Sequence, residues 1–265
     1  PGLLVKRLYT QLLGGPYQRG YKAPADITQS HVIDIFHTYW PHAKLILGIR
    51  HPVRWYESLY NFRVQNLPDD QHLPHPTKLI GACGKRSFHT CTQKGDFAFS
   101  LFKLGKHNYP EPRPATELES LILSRYSSRV RARTKMEEIR LITNPVFLFE
   151  LGQLGDSNTT RNEQFRRSVT DFLGLKEMLP PLPHRIPGMQ QSAEEQERRD
   201  KLKINICDDE FVPVRAELVE YSQRTSQWLR SSFLPNPTVV VSSPEYFDQI
   251  MNDWMHDPCD KFKHP

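Results

Sequence analysis

The stretch Lys44-Leu45-Ile46-Leu47-Gly48-Ile49-Arg50-His51-Pro52-Val53-Arg54-Trp55-Tyr56-Glu57-Ser58-Leu59-Tyr60 decides the fold. Its first part, Ala43 to Ile49, is a short apolar run with the character of a buried parallel strand. Arg50-His51-Pro52 breaks that run, and Val53 to Arg63 reads as a helix with Pro52 in its first turn. An arginine thus stands where a strand ends, the sheet edge at which α/β proteins usually bind ligands. Ser58 follows eight residues later, about two turns into the helix. A guanidinium fork and a hydroxyl converging there suit a phosphate dianion. The alternative is an arginine that caps the sheet edge and a serine solvated on a helix.

The pattern repeats outward. Pro145 to Glu150 is a second buried strand, and Asn162 to Leu173 a helix with Phe165, Val169, Phe172 and Leu173 on one face, stopped by Gly174. Asp208 to Phe233 reads as one long helix with Val214, Leu218, Tyr221, Trp228 and Leu229 facing inward. Thr238 to Val241 is a β-like run before a short helix around Tyr246 to Trp254. Helices are also expected over Thr28 to Tyr39, Phe97 to Leu104 and Leu118 to Arg140, while Gln65 to Lys94 and residues 176–200 look irregular. Buried strands alternating with helices indicate an α/β domain with a mainly parallel sheet flanked by helices. No domain boundary is visible, so residues 1–265 are read as one domain.

Composition narrows the classes. The 265 residues are 38% hydrophobic and 25% charged, ordinary for a globular chain able to bury a core. No run of ~18 apolar residues exists, and no signal peptide is visible. Pro1 in place of Met reads as an N-terminally truncated chain, so any membrane attachment would come through a missing N-terminal anchor. The net charge of +5 suits an anionic partner. The basic residues are dispersed without aromatic interleaving, which argues against nucleic acid. Four cysteines contain no Cys-x-x-Cys pair, so a metal site is not expected. In a luminal protein they would pair as Cys83–Cys91 and Cys207–Cys259; in a cytosolic one they would be four unpaired thiols. Asn158-Thr159-Thr160 is a glycosylation sequon consistent with secretion.

The apolar strand, Arg50-x-Pro52, Ser58 and Tyr60 together resemble the 3′-phosphate-binding motif of PAPS-dependent sulfotransferases. The resemblance implies a P-loop-NTPase-like sulfotransferase fold in which Arg50 and Ser58 hold the 3′-phosphate of PAPS (3′-phosphoadenosine 5′-phosphosulfate). His51 departs from the Asp or Asn usual in the family, and Trp55 from the Arg common in Golgi carbohydrate members. Gly20-Tyr21-Lys22-Ala23-Pro24-Ala25 is similar to the Glu-Lys-Ser-Pro-Ala-Tyr segment of heparan-sulfate-type enzymes. Carried over, Lys22 would stabilise charge on the transferring group; the alternative is a solvated loop lysine. Lys94-Gly95-Asp96-Phe97 looks like the Gly-x-Tyr-Ala segment lining the nucleotide site, with Phe97 in place of Tyr. The strand ending at Glu150 and Phe172-Leu173-Gly174-Leu175 resemble later elements of the same fold, with Glu150 read as structural.

The implied activity is transfer of a sulfuryl group from PAPS to a hydroxyl or amine acceptor, most simply a carbohydrate, without a metal. The localisation implied is the Golgi lumen or secretory pathway, with the cytoplasm as the alternative. The family's phosphosulfate loop, of Pro-Lys-x-Gly-Thr-Thr character, is not found in the sequence. A catalytically silent nucleotide- or glycan-binding relative is therefore the competing expectation. A small-molecule kinase would need Gly-x-x-x-x-Gly-Lys-Ser/Thr, which is absent. His31, His37, His42 and His51 are the alternatives for a base; His31 and His37 lie in a helix that looks packed and are read as structural, and His51 is read as supporting Arg50 rather than acting in the chemistry.

Overall fold

Pro52 and His51 set where the first described helix begins. In the computed structural model the described residues are 39–40, 42–67, 72–84, 90–98, 100–101, 144–181, 197 and 200–260. Strand β1 covers Leu45–Ile49 and helix α1 covers Pro52–Asn66, with proline in its first turn. Leu67, the residue before Pro68, is extended and ends α1, as the crowding of a proline ring on its predecessor dictates. The expected strand was two residues too long at its start and the expected helix too short at both ends.

Strand β2 spans Val146–Glu150 and helix α2 spans Thr159–Leu173. Asn158 caps α2, its side chain accepting the Arg161 N–H, so the helix begins three residues earlier than the apolar pattern suggests. Gly174 closes it in the left-handed region at φ 72°, where a side chain would be strained. Helix α3 covers Val212–Trp228, strand β3 Val239–Val241 and helix α4 Pro244–Asp253. The expected single helix from Asp208 to Phe233 is three pieces: a 3-10 turn at Asp209–Phe211, α3, and a π-helical segment at Leu229–Phe233. Pro213 in the first turn of α3 explains the break at its start.

The three strands form one parallel sheet in the order β1-β2-β3, with Ile49 opposite Glu150 and Leu148 opposite Val241. The α/β expectation thus holds as a small parallel sheet with flanking helices. β2 is central and buried on both faces. Val146 and Leu148 join a cluster with Trp228, Leu229, Phe233, Phe247 and Met251. Phe147 points the other way, to Phe165 and Val169 of α2. β1 is not the fully buried strand expected: among the described residues it is an edge strand, and Ile46 is 44% exposed. A third cluster packs Val53, Tyr56 and Tyr60 of α1 against Val214, Leu218 and Tyr221 of α3.

Both expected disulfides are present, Cys83–Cys91 and Cys207–Cys259. The second ties the segment before α3 to the C-terminal segment beyond α4. No helix among the described residues is long and apolar enough to cross a membrane. The helices expected over Thr28 to Tyr39 and Leu118 to Arg140 lie, apart from Tyr39, outside the described residues, as does Lys22.

Candidate functional site

Arg50 is half-buried at the C-terminal end of β1. Among the described residues its guanidinium makes no hydrogen bond or ion pair. Its charge acts on Glu150, which stands opposite Ile49 on the neighbouring strand. Glu150 is engaged elsewhere: its carboxylate accepts the Gly152 N–H at 2.6 Å and the backbone N–H of His51, while Gln153 Oε1 accepts the Glu150 N–H at 2.9 Å. Burial pushes the Glu150 carboxyl up, opposed by those hydrogen bonds and by the Arg50 charge. Its function is to brace the two strand-end turns against each other, the structural role expected of it.

Ser58 is exposed on α1, one turn after Arg54, and its hydroxyl has no partner among the described residues. Arg54 is held by Glu57 at 3.4 Å, and Glu57 also accepts the Ile206 N–H at 3.0 Å. Among the described residues, then, neither the Arg50 guanidinium nor the Ser58 hydroxyl has a partner.

His51 braces the turn that follows Arg50 rather than serving as a base. It is buried, and its Nδ1 accepts the Val53 N–H at 3.3 Å, forming the N-cap of α1. Its Nε2 lies 3.1 Å from Ser222 Oγ and 3.2 Å from the His256 carbonyl oxygen. Because Nδ1 accepts, Nε2 carries the proton and donates. Desolvation pushes the imidazole down to about 4, so the ring is neutral and fully hydrogen-bonded at physiological pH. It positions the turn that carries Arg50, and no ring nitrogen is left for proton transfer.

The segment Lys94–Phe97 packs beside α1 through aromatic and polar anchors. The Phe97 ring meets the Trp55 ring edge-on at 5.4 Å between centroids. Gly95 is buried between Trp55 and Leu218; a Cβ there would lie 3.1 Å from Leu218 Cδ2 and 3.5 Å from the indole. Asp96 is buried and bound by Arg224 of α3 at 2.6 Å. Lys94 is exposed, and partial burial together with the charge of Arg63 lowers its ammonium from the ordinary lysine range.

Arg63, in the last turn of α1, is the feature that sequence reading missed. It is half-buried, with a buried Nε that has no hydrogen-bond partner among the described residues. Two cations thus lie close enough to repel, with no carboxylate paired to either among the described residues. A basic residue one to two turns beyond Ser58, followed by the lysine of a glycine turn, was the available signal. Nothing in sequence said that the two turns meet.

Among the described residues no cluster of three or more His, Cys, Asp or Glu side chains could hold a metal ion. An open surface depression of about 640 Å³ lies elsewhere, lined by Gln227, Arg230, Ser231, Leu234 and Asp248. Its arginine is already paired with Asp248, so it offers no free charge.

The described residues define an α/β protein with a small parallel three-stranded sheet and flanking helices. No family model, curated protein or solved structure matches the chain.

Proposed function

We propose that the chain is a PAPS-dependent sulfotransferase of P-loop-like fold, acting on a hydroxyl or amine of a carbohydrate. The observation that carries this reading is the uncommitted guanidinium of Arg50 at the end of a parallel strand, followed by the uncommitted hydroxyl of Ser58 on the next helix. Buried or half-buried arginines normally acquire a partner, so one at a sheet edge that is unpaired among the described residues favours an anionic ligand. Lys94 and Arg63, whose charges repel each other toward the far end of α1, add positive charge along the same helix. The edge-on Trp55–Phe97 pair offers an apolar wall for a purine beside them.

PAPS supplies the sulfuryl group, and its departing bisphosphate carries the electron pair of the broken S–O bond. This chain's residues position and neutralise. Arg50 and Ser58 grip the 3′-phosphate, and Lys94 and Gly95 border the nucleotide next to Phe97. Lys22, outside the described residues, is assigned the charge that grows on the leaving oxygen. In-line sulfuryl transfer resembles phosphoryl transfer, in which catalysis rests on alignment and cationic stabilisation. His51 is excluded from the proton-transfer step because both ring nitrogens are committed. The two disulfides suit a secretory-pathway enzyme.

The test is thermal denaturation with adenosine 3′,5′-bisphosphate. A ligand at a hundred times its Kd adds about 2.7 kcal/mol to stability, which reads as a clear rise in Tm. The rise should vanish in Arg50→Ala and shrink in Ser58→Ala. Absence of any shift in the full chain removes the nucleotide assignment. Binding without turnover in that same chain selects the silent relative instead.

A further inference from the structure

We propose that Asn158 carries an N-linked glycan. The inference does not depend on the sulfotransferase reading. Asn158-Thr159-Thr160 has the acceptor pattern of a sequon, with no proline in the middle position. The chain holds a second Asn-x-Thr, Asn236-Pro237-Thr238, in which proline bars modification. The two asparagines are also placed in opposite ways. Asn236 is buried, and its Oδ1 accepts both the N–H of Thr238 at 3.0 Å and its hydroxyl at 2.9 Å. Asn158, Thr159 and Thr160 are all exposed.

The geometry at Asn158 divides the two ends of its amide. Oδ1 is used inward, accepting the Arg161 N–H at 3.0 Å as the cap of α2. Nδ2, the atom that would be modified, makes no hydrogen bond among the described residues. The backbone below is fixed by Asp156, which accepts the Asn158 N–H at 2.9 Å and pairs with Arg161 through two bonds of 2.5 and 2.8 Å. The Arg161 guanidinium in turn lies 4.4 Å above the Tyr246 ring. A substituent on Nδ2 therefore leaves into solvent and disturbs neither the cap nor this anchor. The product of the reaction is still an amide, so its oxygen keeps the capping bond.

The second support is the pair of disulfides, which form in the same oxidising compartment where oligosaccharides are attached. The donor is a lipid-pyrophosphate-linked oligosaccharide, delivered by the cell's own membrane transferase. A bond forms between Nδ2 and the anomeric carbon, the bond from that carbon to the pyrophosphate oxygen breaks, and Nδ2 gives up one proton. The lipid pyrophosphate leaves with the bonding electrons.

The experiment is cell-free translation of the full chain behind a cleavable secretory leader, in the presence of microsomes. Protease-protected chains are read on a gel before and after peptide-N-glycosidase. The expected result is a slower band that collapses on digestion, with Asn158 recovered as Asp in the digested peptide. Thr160→Ala and Asn158→Asp should both abolish the slower band. Asn158→Asp keeps a capping oxygen, so its Tm should match that of the unmodified protein, which separates loss of the glycan from loss of the fold. Protected wild-type chains that run unshifted overturn the proposal, and so does a shifted band that persists in Thr160→Ala.

Discussion

The imidazole Nε2 of His51 lies 3.1 Å from the hydroxyl oxygen of Ser222, although 171 residues separate them in the chain. That contact, with the bond to the His256 carbonyl, fastens the first turn of α1 to the middle of α3 and to the C-terminal segment. Arg50 is the residue just before this fastening. The turn that follows Arg50 is therefore held by a neutral, buried histidine, which also caps the helix that carries Ser58.

The cap predicts a graded mutant series. His51→Ala removes the acceptor for the Val53 N–H and leaves a cavity beside Ser222, and should cost about 2–4 kcal/mol in urea unfolding. His51→Asn restores a capping oxygen and should recover about 1 kcal/mol of that loss. Equal stability of the two variants would show that the cap contributes nothing.

The same residue predicts a pH dependence. The imidazole sits at about 4 in the folded protein against an ordinary value near 6.5. The unfolded chain therefore binds the extra proton first as pH falls, and the folded state loses stability between about pH 6.5 and 4. The shift corresponds to about 3 kcal/mol over that window. Chemical unfolding at pH 7 and pH 4.5 should show most of this slope in wild type and much less of it in His51→Asn. A slope identical in both proteins assigns it to other groups.

Asp96 makes the next prediction, because it anchors the segment that holds Lys94, Gly95 and Phe97. Its carboxylate is 1% exposed and meets Arg224, itself 7% exposed, at 2.6 Å. Asp96→Ala leaves the Arg224 charge buried with that partner removed, which should cost about 3–5 kcal/mol. Replacing both residues with apolar ones of similar size should cost less than the single change. A double-mutant cycle on Tm or urea midpoint checks the sign.

Reduction provides a further contrast. The Cys207–Cys259 bridge closes a loop with a sequence separation of 52 and Cys83–Cys91 one of 8. On loop-entropy grounds the first contributes about 4 kcal/mol and the second about 2.5 kcal/mol. Cys259→Ser, which opens the long loop and puts a hydroxyl at a buried position, should lower the urea midpoint more than Cys83→Ser. The reverse order would mean that the unfolded chain retains structure across the longer loop.

How much of this was legible in sequence follows from the range over which each signal acts. The strands ending at Ile49 and Glu150, the glycine stop at Gly174 and the inward residues Val214, Leu218, Tyr221, Trp228 and Leu229 come from local periodicity, and they stand where expected. The start of α2 was missed because the cap at Asn158 precedes the apolar pattern rather than belonging to it. The long helix expected to Phe233 was split because Pro213 and the π segment change the backbone without changing hydrophobic spacing. The placement of Arg50 at a strand end and Ser58 on the next helix was readable because both lie within one strand–turn–helix unit. The fastening of His51 to Ser222 and the proximity of Lys94 to Arg63 were not, since both join segments that only folding brings together. The departure of His51 from the Asp or Asn of the resembled motif also has a physical reading. All three side chains present an acceptor to the helix N-terminus, and here a ring nitrogen fills that role.

The central claim is that Arg50 and Ser58 recognise a phosphate on the 3′ position of a nucleotide. Calorimetric titration of the protein with adenosine 3′,5′-bisphosphate and with 5′-AMP measures that group alone. Hydrogen bonds to a charged group are worth about 1.5–3 kcal/mol, so wild type should bind the bisphosphate roughly tenfold to a hundredfold more tightly. In Arg50→Ala the two nucleotides should bind with nearly equal affinity. Equal affinity in the wild-type protein, or a preference that survives in Arg50→Ala, contradicts the account.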